Sequence, residues 1–409
     1  MKRVLSMALG ILTAIGGFVD IGDLVTNAQA GARFGLSLTW ATVAGVVGIC
    51  VFAEMSGRIA AVSGRATFDL VRERLGPGMG LVNLLGSMGV SLLTYVAEIG
   101  GVALAVELIS SVDYMLLFPI VGVVVWLVLW RASFSFIENA LGLLGLALGV
   151  FVVALFKLGP DWSHLAHQAV TVGKPSDESW PTWSYYAVAL FGAAMTPFEV
   201  FFFSSGGVEE RWSAKDIPLM RSNVIIGFPL GGMLSISIAA CAALVLGPLD
   251  ISVSSLDQVG LPIAVTLGKL GLGIALLGFV AATFGAACET GLSVGYSIAQ
   301  YFGWQWGKLV RTDVAARFHA VLLGASLVAL GLLATAADPV TITELSVVFS
   351  TIALPLTYFP ILVVANDRDY MGTHVNGPLL NALGVFFLVV VTVVAVAAVP
   401  LMIWTHMGS

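Results

Sequence analysis

The chain has 409 residues, of which 58% are hydrophobic and only 10% charged, with a mean hydropathy of +1.00 and a formal charge of −6. No soluble domain of this length hides so much apolar surface, so the chain is a polytopic membrane protein with the lipid bilayer as its solvent. No basic run points to nucleic acid, and Cys50, Cys241 and Cys288 all fall inside apolar segments, which excludes a disulfide framework and leaves no metal-ligand spacing.

Windows of about 20 apolar residues can cross a bilayer. Eleven occur, at about 5–30, 36–62, 80–109, 114–131, 139–158, 183–207, 220–247, 263–300, 316–337, 341–365 and 377–404. The first follows Lys2 and Arg3, carries Asp20 and Asp23, and lacks a small-residue cleavage site, so it reads as a retained span rather than a signal peptide. The eighth is too long for one straight helix and implies an outer segment near Pro262 and Lys269. The connection 159–182 holds Asp161, His164, His167, Asp177 and Glu178, with Trp162, Trp180 and Trp183 near its ends as an interfacial belt. Its two histidines have no third ligand nearby, so the connection reads as a solvated loop. The connection 248–260, with Asp250 and Asp257 and no basic residue, could attract cations weakly, and fits an ordinary connection equally well.

Lysine and arginine placement orients these spans. With the N-terminus cytoplasmic, fourteen of the eighteen fall on that side and four, Arg33, Lys157, Lys174 and Lys269, on the other. The split supports an odd number of spans and puts the C-terminus, Trp404 to Ser409, outside. Short loops lean towards a prokaryotic inner membrane.

Two spans carry a break flanked by oxygen-bearing side chains. In the first, Gly22 sits between Asp20 and Asp23; in the sixth, Pro197 sits between Thr196 and Glu199. The two breaks are about five spans apart. Corresponding interruptions in two five-span units imply a 5+5 inverted-repeat transporter fold with helices 1 and 6 broken, plus an eleventh helix. The whole chain is then one transmembrane domain, with repeat one over about 5–158, repeat two over about 183–365 and the extra helix over about 377–404. Glycine and proline interrupt the helical bond ladder and free carbonyls that face a cavity rather than lipid. Carboxylates in hydrocarbon are costly and usually functional.

The bracketing residues Asp20, Asp23, Thr196 and Glu199 are oxygen ligands without histidine, cysteine or methionine, a set that favours hard cations such as Mg²⁺, Ca²⁺ or Mn²⁺. Met195 adjoins Thr196, but neighbours on a helix point about 100° apart, so the two are not expected to face one site together. Three carboxylates exceed the charge of one divalent ion, which argues against a lone Na⁺ or a neutral amino acid. Gly16, Gly17, Gly192, Ala193 and Ala194 beside the breaks are compatible with a roomy cavity and equally with close helix packing. Among the other acids, Glu98 reads either as a site residue or as a structural acid. Glu54 reads as the i,i+4 partner of Arg58. Glu107, Glu138 and Glu344 lie near span ends, and Glu289, beside Thr290, is a pathway candidate.

At these residues the chain resembles the Nramp family of divalent-metal transporters. The run from Gly16-Gly17-Phe18-Val19-Asp20-Ile21-Gly22-Asp23 to Ala28-Gln29-Ala30-Gly31-Ala32 is similar to the family's first span, with its Asp-Pro-Gly-Asn and Gln-Ala-Gly-Ala. Gly192-Ala193 to Ser204 is similar to the sixth span, with its Met-Pro-His. Leu345-Ser346 through Leu354-Pro355 to Asp367-Arg368 and Met371-Gly372 resembles the tenth and its following turn. The resemblance implies metal ligands at Asp20, Asp23 and Thr196, with carbonyls from Gly17 and Ala193. It also marks departures. The family's methionine is Thr196, its histidine Phe198, and the following asparagine Glu199. The third-span Asp-x-x-Glu, which moves protons, reads Tyr95-x-x-Glu98, and a tenth-span glutamine aligns with Ala353.

That pattern is most like the Nramp-related magnesium transporters. It implies a secondary transporter moving largely hydrated Mg²⁺, and also Mn²⁺, by alternating access without proton coupling. The ion is then a substrate, and no resident cofactor is expected. The alternative is a proton-coupled Mn²⁺ or Fe²⁺ importer of the ordinary Nramp type. An amino-acid transporter on the same architecture fits the three acids less well, and a channel less again. No nucleophile–base set suggests an enzyme. Oligomeric state is not legible.

Overall fold

The computed structural model describes residues 18–137, 142–176, 178–335 and 338–408. Expectations that rest on Lys2, Arg3, Gly16, Gly17, Glu138, Asp177 and Ser409 lie outside the described residues. Within them every regular element is helical. Twelve helices matter here: α1 (Ile21–Phe34), α2 (Thr39–Ser63), α3 (Thr67–Ser110), α4 (Tyr114–Arg131), α5 (Val150–Leu158), α6 (Trp180–Ala194), α7 (Pro197–Glu209), α8 (Ile217–Val245), α9 (Leu256–Phe302), α10 (Ala316–Leu333), α11 (Pro339–Ala365) and α12 (Pro378–Trp404). Helices dominate because lipid cannot satisfy a bare backbone. Among the described residues nine helices are long and apolar enough to cross a membrane, with α6 and α7 counted as one. The first expected span is only partly described, and the fifth appears as the shorter apolar helix Gly142–Leu158. The architecture is all-α and polytopic, a 5+5 inverted repeat with the first and sixth spans broken and an eleventh span, α12, added.

Two kinks set the long helices. Gly76 in α3 has φ 83° and Gly268 in α9 has φ 69°, a left-handed region that glycine enters without steric cost. Each separates a short leading segment, 67–75 or 256–267, from a membrane-length helix. The third span therefore has a leading segment that the expected 80–109 left out. In the eighth, the outer segment expected near Pro262 and Lys269 is present, with Pro262 inside it and the break at Gly268. The kinks occupy equivalent places, each after the second span of its half. The 159–182 connection, read as a loop, contains a helix over Trp162–Val170 capped by Asp161, whose carboxylate accepts from the Ser163 and His164 amides.

Helix α1 packs against α8, and α3 lies against both α9 and α11. A Cβ on Gly31 would come within 2.1 Å of the Ala239 carbonyl oxygen, so α1 and α8 touch backbone to backbone. Helix α12 turns Val385, Phe386, Val389, Val393 and Val396 outward, the apolar surface expected towards lipid.

Polar clusters tie the two ends. At one, Glu54 pairs with Arg58 at 3.0 Å and with Arg221 at 2.8 Å, and Arg58 also donates to the His374 carbonyl and Asn376 Oδ1. At the other, Arg33 pairs with Glu178 and donates to the Gly408 carbonyl, which brings the C-terminal residues to the face of the 159–182 connection. Glu344, placed near a span end by the sequence, accepts from Gln29 Nε2 at 2.8 Å.

Candidate metal site

The chain unwinds within both broken spans. In the first span Val19 and Asp20 are non-helical, and Asp20 is the N-cap of α1: its Oδ1 accepts from the Asp23 amide at 2.7 Å. Gly22, read from sequence as the breaking residue, lies inside α1. Its bareness provides clearance instead, since a Cβ there would sit 3.0 Å from Val347 Cγ2 and 3.1 Å from Asp20 Oδ1. In the sixth span Met195 and Thr196 are non-helical and Pro197 opens α7. Proline has no N–H, so the Ala193 carbonyl loses the donor four residues on. Similarly the Ile21 N–H, which an unbroken helix would aim at residue 17, donates to both Glu98 carboxylate oxygens at 3.1 and 3.4 Å.

Between the breaks lies a narrow cleft of about 10 Å³, room for about one water. Asp20, Ile21 and Gly22 line one side, with Gly192, Ala193 and Thr196 across from them. Thr94, Ala97 and Glu98 of α3 and Thr343, Ser346, Val347 and Ser350 of α11 complete the wall. Thr94 and Ser346 hydrogen-bond at 2.7 Å, and Thr343 donates back to the Pro339 carbonyl at 2.7 Å. The α11 hydroxyls were missed from sequence. Their spacing of i, i+3 and i+7 along one helix face was the available signal.

The expected residues divide. Asp20, Ala193, Thr196 and Glu98 line the cleft. Asp23 does not, because Ser235 of α8 donates to its Oδ2 at 2.5 Å and Asn27 to its Oδ1 at 2.8 Å, which turns the carboxylate towards α8. Glu199 accepts from the Thr196 hydroxyl at 3.3 Å and lies within reach of the charges on Asp20 and Asp23, but is not in the cleft wall. Among the described residues no three acidic, histidine or cysteine side chains converge closely enough to hold a metal. The three carboxylates read as one ligand set are thus neighbours with separate hydrogen-bond partners, because each has found a nearer donor. This also applies to His164 and His167, whose rings approach Gln168 and Thr171.

The remaining candidates sit around this centre. The Tyr95 hydroxyl pairs with Ser326 of α10 at 2.8 Å, facing away from the cleft. Phe198 is buried, and its carbonyl accepts from Ser293 at 2.9 Å. Glu289 is buried on α9, near enough to Glu98 for their charges to interact. Ala353 is buried on α11 outside the cleft wall. Met195 turns away: a Cβ on Gly48 would lie 2.5 Å from its Sδ, and its carbonyl accepts from Tyr358 at 3.1 Å.

Two broken helices whose unwound turns line one cleft, inside a 5+5 inverted repeat, are the architecture of an inverted-repeat membrane transporter. The chain belongs to the Nramp family: the model for natural resistance-associated macrophage protein-like proteins matches residues 10–400. It is 26% identical to a divalent metal cation transporter MntH of Deinococcus radiodurans, across 100% of this chain and 92% of that one. It is also 26% identical to an MntH of Acidiphilium cryptum, across 87% and 81%. In fold it is similar to a manganese transporter of Eremococcus coleocola, with a TM-score of 0.68 and 17% identity over 98% of this chain and 94% of that one. It is also similar to Mhp1, a nucleobase-cation-symport-1 family transporter, with a TM-score of 0.59 and 14% identity over 97% and 92%.

Proposed function

We propose that this protein carries divalent metal ions across the membrane by alternating access, with Mg²⁺ preferred, Mn²⁺ also accepted, and no coupled proton. One observation carries this reading. The polar groups of the cleft wall are all oxygens, while Met195, the only thioether beside the break, is packed against Gly48. Hard oxygen donors suit Mg²⁺, and an ion that dehydrates reluctantly needs hydroxyls and carbonyls to meet its water shell. Asp20 supplies the charge, and Thr196 with the Ala193 carbonyl faces the ion or its waters. Asp23 and Glu199 add negative potential from behind the wall. A negative-inside potential favours entry by about 2.3 kcal/mol per charge for each 100 mV, so a divalent ion accumulates without proton coupling. Tyr95, standing where a proton-moving acid is expected, fits that uncoupled reading. The cytoplasmic N-terminus, the outside C-terminus and the prokaryotic inner membrane belong to the same proposal.

A second reading, proton-coupled Mn²⁺ import, is favoured by the relatives' names and by the retained Glu98. Uptake of Mg²⁺ and Mn²⁺ into liposomes that contain a pH dye separates the two. Mg²⁺ entry without internal acidification is expected, and its loss in Asp20→Ala. Mn²⁺-only entry with acidification, or near-normal uptake by Asp20→Ala, would overturn the proposal.

A further inference from the structure

We propose that Ser350 of α11 is a specificity-determining residue of the transport site, holding a water of the incoming cation's hydration shell; this rests on the reading of the cleft given above. The hydroxyls of this wall are otherwise committed. Thr343 donates to the Pro339 carbonyl, Ser346 pairs with Thr94, and Thr196 donates to Glu199. Elsewhere on α11, Thr351 and Thr357 donate to the carbonyls four residues back, the usual resting place of a helical hydroxyl. Ser350 makes neither kind of bond. Its Oγ is buried without a protein partner among the described residues, the residue is only 3% exposed, and it lines the same cleft as Asp20 and Ala193.

A buried hydroxyl left unpaired is costly, so its persistence here calls for a partner that enters the cleft. The chemistry of that partner follows from the wall. Asp20 is an anion, the Ala193 carbonyl is an acceptor, and Ser350 both donates and accepts. A bare divalent ion would draw on Asp20 and the carbonyl, whereas an ion that keeps its waters presents O–H donors to all three. Ser350 therefore acts on the water shell, and its contribution grows with the ion's reluctance to shed that shell. Mg²⁺ is the reluctant ion, so Ser350 weighs more on Mg²⁺ than on Mn²⁺.

The test is uptake of Mg²⁺ and of Mn²⁺ by the full chain in proteoliposomes, for wild type, Ser350→Ala, Ser350→Thr, Ser350→Val and Asp20→Ala, each checked for monodispersity. Thr and Val both add a methyl branch and differ only in whether the other branch at Cβ is the hydroxyl of Ser or a second methyl. Ser350→Ala and Ser350→Val are expected to raise KM for Mg²⁺ about tenfold with kcat little changed. KM for Mn²⁺ should move less, and Ser350→Thr should stay near wild type. Equal shifts for both ions, an unchanged Mg²⁺ KM in Ser350→Ala, or Thr behaving like Val would each remove the assignment. Retained uptake by Asp20→Ala would instead bring down the site reading beneath it, which keeps the two failures apart.

Discussion

The Glu98 carboxylate sits across the first backbone amide of α1, accepting the Ile21 N–H at 3.1 Å. A third-span acid thereby caps the half-helix that presents Asp20 to the cleft. A carboxylate at a helix N-terminus also meets the positive end of the helix dipole. Glu98→Ala leaves the Ile21 N–H unpaired in the protein interior, which costs about 1–3 kcal/mol. A lower melting temperature and slower uptake are expected. Glu98→Gln keeps an acceptor and should restore most of the melting temperature. Equal melting of the Ala and Gln variants would show that the cap contributes nothing.

Asp23 is held by Ser235 across the α1–α8 contact at 2.5 Å. Ser235→Ala should destabilise by about 1–3 kcal/mol. In an Asp23→Ala background the same change should cost little, because the partner is already gone. Thermal melting of the four members of this cycle measures the coupling, and strict additivity would refute it.

Thr196 stands at the cleft where the family carries a thioether. Thr196→Met puts a soft ligand beside Asp20, which should raise the rate of Mn²⁺ and Cd²⁺ uptake relative to Mg²⁺. Competition of each metal against Mg²⁺ in liposomes reads this directly. An unmoved ratio means that residue 196 does not select the ion.

Lys308, in the connection between α9 and α10, donates to the Leu129 carbonyl, and its own amide donates to Glu209. Burial holds its amine below the ordinary 10.5, at about 8. The unfolded chain therefore binds one more proton than the folded one between these values. Stability from this group is present above pH 10.5 and is lost as pH falls through about 8. Lys308→Met should flatten that part of the melting-temperature profile. If the variant follows wild type through this window, the residue is not the source of the slope.

What the sequence made legible follows the range of each interaction. The sixth-span break was readable because Pro197 removes a backbone donor wherever it sits. The first-span break was placed two residues late, because an aspartate N-cap, not the glycine, begins α1. Five-plus-five organisation was readable from the matching interruptions. The kink at Gly76 was not, since glycine is common in membrane helices and only its backbone angle marks the bend; the one at Gly268 falls between Pro262 and Lys269, where the excess length of the span already implied a separate outer segment. Asp23's partner Ser235 lies 212 residues away, beyond any local pattern. Ser350 was passed over because a helical serine usually bonds its own backbone, and only the fold reveals that this one does not.

The seating of Gly31 on Ala239 has a mechanical corollary. At that point no side chain separates the two helices, so axial sliding of one along the other would collide main chain with main chain. The two helices are thereby locked against slippage at Gly31, and any relative movement of α1 and α8 has to hinge about that point or carry both together.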